Sequence, residues 1–153
     1  MNFRRRTWLV TVAIPIAQLC GRAQARARAD LLQPDEAFRI SARRIAPDVV
    51  ELEYLIAPGY HLYRDRFTFS TGHPAVTVAA VELPPALERF DPAMGQPMRY
   101  YRDRLTVRVR LSGASQAVRL TASAQGCAAD LGVCYPPIVR SFELPAAGAR
   151  ERG

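Results

Sequence analysis

Lysine is missing altogether from these 153 residues: every one of the 21 cationic side chains is an arginine. Cysteine is scarce (three), histidine scarcer (two), and the one tryptophan, Trp8, lies close to the N-terminus. No apolar run reaches the ~20 residues that a membrane helix needs; residues 8–19 come nearest. No window carries a long apolar face at helical spacing, which argues against a helical domain. Neither a Ser/His/acid set nor an H-E-x-x-H spacing is present, which disfavours a hydrolase. Internal repeats and a second domain are likewise absent from the pattern.

What is present begins with an export signal. Arg4, Arg5 and Arg6 form a charged head, residues 8–19 an apolar middle, and Ala23, Ala25, Ala27 and Ala29 offer small-residue cleavage frames. The expected cut follows Ala29, so that residues 1–29 are signal peptide and Asp30 starts the mature chain. Arg5-Arg6-Thr7-Trp8-Leu9 also has the look of a twin-arginine signal, but three arginines before an apolar core suit an ordinary leader. Cys20 is expected to leave with it, because Leu19 stands where a lipoprotein signal wants a small residue. Six arginines (Arg4, Arg5, Arg6, Arg22, Arg26 and Arg28) precede Asp30, leaving 15 against 14 acidic residues and a net charge of +1. The basic pI therefore belongs to the leader, and no basic run of nucleic-acid type survives.

The mature chain reads as β structure. Val50, Leu52, Tyr54 and Ile56 alternate with Glu51, Glu53 and Leu55 up to Pro58-Gly59. Leu105, Val107, Val109 and Leu111 alternate with Thr106, Arg108 and Arg110 up to Ser112-Gly113, and Val118, Leu120, Ala122 and Ala124 repeat the period. Weaker strands are expected over residues 38–42, 60–63, 66–69, 76–83 and 139–144. Short strands parted by turn signals predict an all-β, immunoglobulin-like antiparallel β-sandwich over residues 30–145, with residues 146–153 a frayed tail. Two connections are read as long loops: the proline-rich residues 84–99, holding Phe90, Asp91, Met94 and Met98, and the cysteine segment before the last strand.

That segment is Gln125-Gly126-Cys127-Ala128-Ala129-Asp130-Leu131-Gly132-Val133-Cys134-Tyr135-Pro136-Pro137. A disulfide across so short a loop would stabilise by roughly 2.5 kcal/mol as a staple, and in an exported chain it would persist. Immunoglobulin-type staples instead join cysteines far apart across the core, and exposed local disulfides are the exchangeable ones. The C-x6-C spacing alone is not a redox signature, so both readings stand on the residues themselves.

Those motifs, in this order, resemble the N-terminal periplasmic domain of the thiol:disulfide interchange protein DsbD. They are Gln33-Pro34-Asp35-Glu36-Ala37-Phe38, Gly59-Tyr60-His61-Leu62-Tyr63-Arg64, Tyr101-Arg102-Asp103-Arg104-Leu105, and the specific Gln125-Gly126-Cys127 … Cys134-Tyr135-Pro136-Pro137. The resemblance covers nearly all of residues 31–144. It implies a sandwich domain acting as a protein-disulfide reductase component in the periplasm, without cofactor or metal and as a monomer. Cys134 would form mixed disulfides with partners and Cys127 would resolve them. Tyr60 and Tyr63 would flank the pair with Asp130 and Tyr135, while Phe90, Asp91 and Met94 would supply the cap that shields it. Implied partners are thioredoxin-fold proteins (a DsbC-like isomerase, a cytochrome c maturation thioredoxin), and the electrons would come from a separate membrane donor of DsbD or CcdA type. This chain departs from the family in one extra residue between the cysteines, Leu131 or a neighbour, and in methionine as well as phenylalanine at the cap. The membrane-embedded and C-terminal thioredoxin-like domains of the family are expected to be absent here. Asp130 and Asp91 would raise a thiol pKa there, and no lysine or assignable histidine lowers it. Two other readings compete. One is a copper carrier using Met94, Met98, Cys127, Cys134, His61 and His73; the bland view of these makes Met94 a cap and His61 a strand-end polar residue. The other is a protein-binding sandwich with an inert disulfide.

Overall fold

A computed structural model describes residues 31–92, 94–113 and 116–147. The signal peptide, its cleavage point and residues 148–153 of the expected tail lie outside the described residues. The described chain opens on one helical turn, α1 (Pro34–Ala37), started by a proline and closed by Glu36, whose side chain accepts from the Gln33 N–H at 3.1 Å. Strands β1 (Phe38–Ala46), β2 (Val49–Ile56) and β3 (Tyr60–Tyr63) follow. A 3-10 turn at Arg64–Arg66 then leads to β4 (Thr68–Thr71), β5 (Thr77–Glu82), β6 (Leu87–Asp91) and β7 (Gln96–Tyr101). The remainder is β8 (Arg104–Ser112), β9 (Val118–Ala124), β10 (Gly126–Ala128), β11 (Val133–Cys134) and β12 (Ile138–Leu144).

All pairings are antiparallel, and they build sheets ordered β1-β2-β8-β5, β12-β9-β4 and β11-β10-β3-β7-β6. The alternation read from the sequence is the alternation of burial. In β2, Val50, Leu52, Tyr54 and Ile56 are buried, as are Leu105, Val107, Val109 and Leu111 in β8 and Val118, Leu120, Ala122 and Ala124 in β9. One slipped residue would turn each set outward, so the register is held by the hydrophobic effect itself. The outward Glu51 and Glu53 meet Arg43, Arg108 and Arg104; such exposed pairs contribute little to stability. β1 lies against β12 and β4 against β5, closing the two buried faces on each other as an immunoglobulin-like sandwich.

The structure corrects both expected loops. Residues 84–99 are for the most part a hairpin, β6–β7, with Phe90 opposite Pro97 and Asp91 opposite Gln96. Its exposure does not alternate, so no period-2 signal marks it, and its proline looked like a breaker. Pro97 is tolerated because β7 pairs with β3 only through Tyr100 and Tyr101, which leaves that side of Pro97 without a ladder partner to serve. The cysteine segment is also a hairpin, β10–β11, annexed to β3. The chain changes sheets between Ala124 and Gly126, and glycine is required there. A Cβ on Gly126 would stand 2.4 Å from the His61 carbonyl oxygen and 2.6 Å from the Phe38 ring.

Candidate redox site

Three residues lie side by side across β3, β10 and β11: His61 opposite Cys127, and Cys127 opposite Cys134. Directly opposed residues share a face, and the two cysteines are joined by a disulfide (S–S 1.92 Å). The four residues 129–132 turn the chain from β10 to β11 and keep the cysteines in register. Gly132 turns it at φ 62°, and the Ala129 N–H donates to the Gly59 carbonyl at 2.8 Å. The two sulfurs differ in access. Cys127, on a strand paired on both sides, is 2% exposed, whereas Cys134, on the edge strand, is exposed.

The disulfide forms one wall of a cavity of about 300 Å³, whose other walls include His61, Tyr63, Met98, Tyr100, Phe90 and Asp91. Strand β3 is buried along its length because it serves two faces. Leu62 and Tyr60 point one way, His61 and Tyr63 the other. The Tyr63 oxygen lies 3.3 Å from Cys127 Sγ and 3.9 Å from Cys134 Sγ, and its hydroxyl donates to the Asp91 carboxylate. A disulfide has no hydrogen to offer, so that phenolic proton belongs to Asp91. Burial first, then Asp91, pushes the Tyr63 pKa well above the usual phenol range. Asp91 also accepts from the Met94 N–H at 3.2 Å, which fixes the hairpin turn.

His61 is 8% exposed, with Tyr63 edge-on at 4.8 Å and Tyr100 tilted at 5.4 Å. Its Nε2 is buried and has no hydrogen-bond partner among the described residues. Burial lowers its pKa; Asp91 acts in the opposite direction and Arg102 in the same one. The imidazole is accordingly neutral at pH 7.

Of the residues expected at the site, Cys127, Cys134, Tyr63, Phe90, Asp91 and Asp130 line the cavity, and Tyr60, Tyr135 and Met94 do not. Phe90 is 60% exposed at the rim. Tyr60 and Tyr135 instead form a wedge behind the hairpin with Phe38, whose ring is 5.8 Å from Tyr60 and 5.6 Å from Tyr135. The Tyr60 oxygen accepts from the Leu32 N–H at 2.9 Å, and the Tyr135 hydroxyl donates to the Leu32 carbonyl at 2.7 Å. The redox reading of the sequence did not include His61, Met98 or Tyr100, of which His61 and Met98 were named only as copper-type ligands. Stepping two residues back from Tyr63 along the strand would have brought His61 to the disulfide; Met98 was placed in a loop, and Tyr100, just past that loop, was not singled out. Of the copper-type ligands, both cysteines are spent on the disulfide. Among the described residues no group of three or more His, Cys, Asp or Glu side chains is disposed to hold a metal.

The site is thus a cystine mounted on a hairpin of a β-sandwich, with one cysteine buried and the other presented at a sheet edge. The N-terminal family of the thiol:disulfide interchange protein DsbD matches residues 28–146, and the chain belongs to that family. It is 38% identical to the DsbD of Ralstonia nicotianae over 141 residues, which are 92% of this chain and 22% of that protein. The chain thus spans about a fifth of the length of such relatives. It is similar to the Neisseria meningitidis DsbD N-terminal domain in the reduced form, with a TM-score of 0.68 at 26% identity over 78% of this chain and 94% of that one. A second neisserial structure, the complex between the DsbD and PilB N-terminal domains, gives a TM-score of 0.62 at 27% identity over 74% of this chain and 87% of the other.

Proposed function

We propose that this domain relays reducing equivalents in the periplasm. It takes them from a membrane donor of DsbD or CcdA type, or a thioredoxin-like one, and passes them through Cys127 and Cys134 to thioredoxin-fold acceptors such as a DsbC-like isomerase or a cytochrome c maturation thioredoxin. The observation that carries this reading is the unequal exposure of the two sulfurs. An incoming donor thiolate reaches Cys134 Sγ and not Cys127. Attack there breaks the S–S bond and sends its electron pair to Cys127, leaving a mixed disulfide between Cys134 and the donor. The donor's second thiolate then attacks its own sulfur in that bond and releases Cys134. Two electrons have moved, and the two protons lost by the donor thiols end on Cys127 and Cys134. The acceptor step is the same sequence reversed.

The neisserial counterpart forms a complex with the PilB N-terminal domain, which supports a protein rather than a small molecule as the reacting partner here. Asp91 and Asp130 on the cavity wall disfavour a thiolate by their charge, while Arg89 and Arg102 on the same wall favour it. The Phe90 side of the β6–β7 hairpin serves as the shield, to be moved aside by a cognate partner.

The test is trapping. Cys127→Ser should accumulate a mixed disulfide through Cys134 with a thioredoxin-fold partner, since nothing intramolecular can release it, and Cys134→Ser should trap little. Preferential trapping through Cys127 would reverse the roles. A wild-type disulfide that thioredoxin-like donors leave intact in the folded protein would end the redox reading.

A further inference from the structure

His61 is the one buried polar side chain of this site that the exchange chemistry leaves without a task. It is more than nine-tenths buried, it lines the cavity beside the disulfide, and its Nε2 lacks a hydrogen-bond partner among the described residues. A buried polar atom without a partner is costly, and proteins rarely keep one without a compensating use. The use is suggested by the register. His61 stands directly opposite Cys127 on the neighbouring strand, so their Cβ atoms lie about 4.5–5.5 Å apart on the same face. In the disulfide, Cys127 Sγ has neither a hydrogen to donate nor a charge to attract one. Reduction changes that. The sulfur becomes either a thiol, which can donate to an imidazole nitrogen, or a thiolate, which can accept from an imidazole N–H.

We infer that His61 raises the reduction potential of the Cys127–Cys134 pair, because its buried nitrogen gains a hydrogen-bond partner only when the disulfide opens. The inference rests on the exchange reading above. The electron balance is that of the exchange: a donor dithiol is oxidised to its disulfide, and Cys127–Cys134 is reduced to the dithiol. The two donor protons pass to the two sulfurs through solvent, and His61 keeps its own ring proton throughout. Its part is to hydrogen-bond the sulfur that Cys127 regains on reduction, which makes it a positioning residue. Tyr63 cannot substitute in the closed state, since its proton is held by Asp91. The other ionisable groups around the imidazole are Tyr100, Arg102, Arg89 and Asp130, besides Asp91 itself, and none supplies Nε2 with a hydrogen bond.

The experiment is a glutathione redox titration of the full chain as wild type, His61→Phe and His61→Gln. His61→Phe, which keeps a ring and removes the nitrogens, should equilibrate about tenfold further toward the disulfide, equivalent to a potential about 30 mV more negative. His61→Gln, which keeps a donor and an acceptor, should recover most of that difference. A merely structural histidine would alter the stability of both redox forms alike and leave the potential where it was. An unchanged potential in both folded variants overturns the inference while leaving the exchange function standing. The titration includes a catalytic amount of a thioredoxin-like protein, and a wild-type disulfide that does not equilibrate even then defeats the exchange reading instead. A second measurement needs no substitution: the ring nitrogens of His61 should shift by NMR when the wild-type protein is reduced, and identical shifts in the two forms would also overturn it.

Discussion

At Tyr63 a single oxygen lies within 4 Å of both sulfurs while its proton is held by Asp91, so side chains from β3, β6, β10 and β11 converge on one atom. Such convergence fixes the geometry of the closed site, and it leaves the rim to Phe90. That ring is 60% exposed at the mouth of the disulfide cavity, far more than a core residue would be, and a large exposed aromatic at a reactive bond is best accounted for as a shield. Phe90→Ala should therefore speed reduction by a small reagent such as dithiothreitol severalfold, while Met94→Ala, whose side chain does not line the cavity, should change it little. Stopped-flow rates for the two variants decide this; an unaltered Phe90→Ala rate removes the shield from the argument.

Among the elements, the short strand β10 has the most demanding position, because it must hold Cys127 between His61 and Cys134 while touching the core with its other face. The absence of a side chain at Gly126 makes that approach possible, since a Cβ would meet the His61 carbonyl oxygen at 2.4 Å and the Phe38 ring. Gly126→Ala should cost about 1–3 kcal/mol by overpacking, read as a lower denaturation midpoint with unchanged slope, and should also alter the redox equilibrium by shifting Cys127. A variant as stable as wild type would mean that β10 has room to give. Elements of this kind were the hardest to see in the sequence. β2, β8 and β9 declared themselves because each buries one face and wets the other. β6 is exposed on both faces, β3 is buried on both, and β10 and β11 are too short to show any period. A strand without a one-sided environment leaves no alternation to read.

For the molecule as a whole, four of the six tyrosines have raised pKa values: Tyr54, Tyr63, Tyr101 and Tyr135, the last reaching about 12. Burial is the first cause at each, because a phenolate is poorly solvated inside the fold. The sign follows from linkage: a group whose folded pKa lies above its unfolded value of about 10 lends stability that is complete below that value. It is lost as the pH climbs toward the folded one. Stability should decline from about pH 10 upward, and tyrosinate absorbance should appear in step with loss of the β-sheet signal. If these four phenols titrate near pH 10 with the sheet intact, the burial argument for them fails.

The amino-acid sequence by itself determined the sandwich, the antiparallel pairing of its main strands and the cysteine pair as a local unit open to a structural or a redox reading. Each depends on local facts: one-sided burial written as alternation, turn residues between runs, and two sulfurs eight positions apart counted inclusively. Only the tertiary structure decided which sulfur faces solvent, because Cys127 is buried by β3 and its neighbours whereas Cys134 owes its exposure to lying on a sheet edge. It likewise decided that His61, and not Tyr60, stands beside the disulfide. Both residues belong to one aromatic-rich motif, and which of the two faces the cavity depends on the register between β3 and β10, a pairing between segments some sixty-five residues apart. Such long-range register is fixed by what packs against each face, and a single segment read alone contains no record of it.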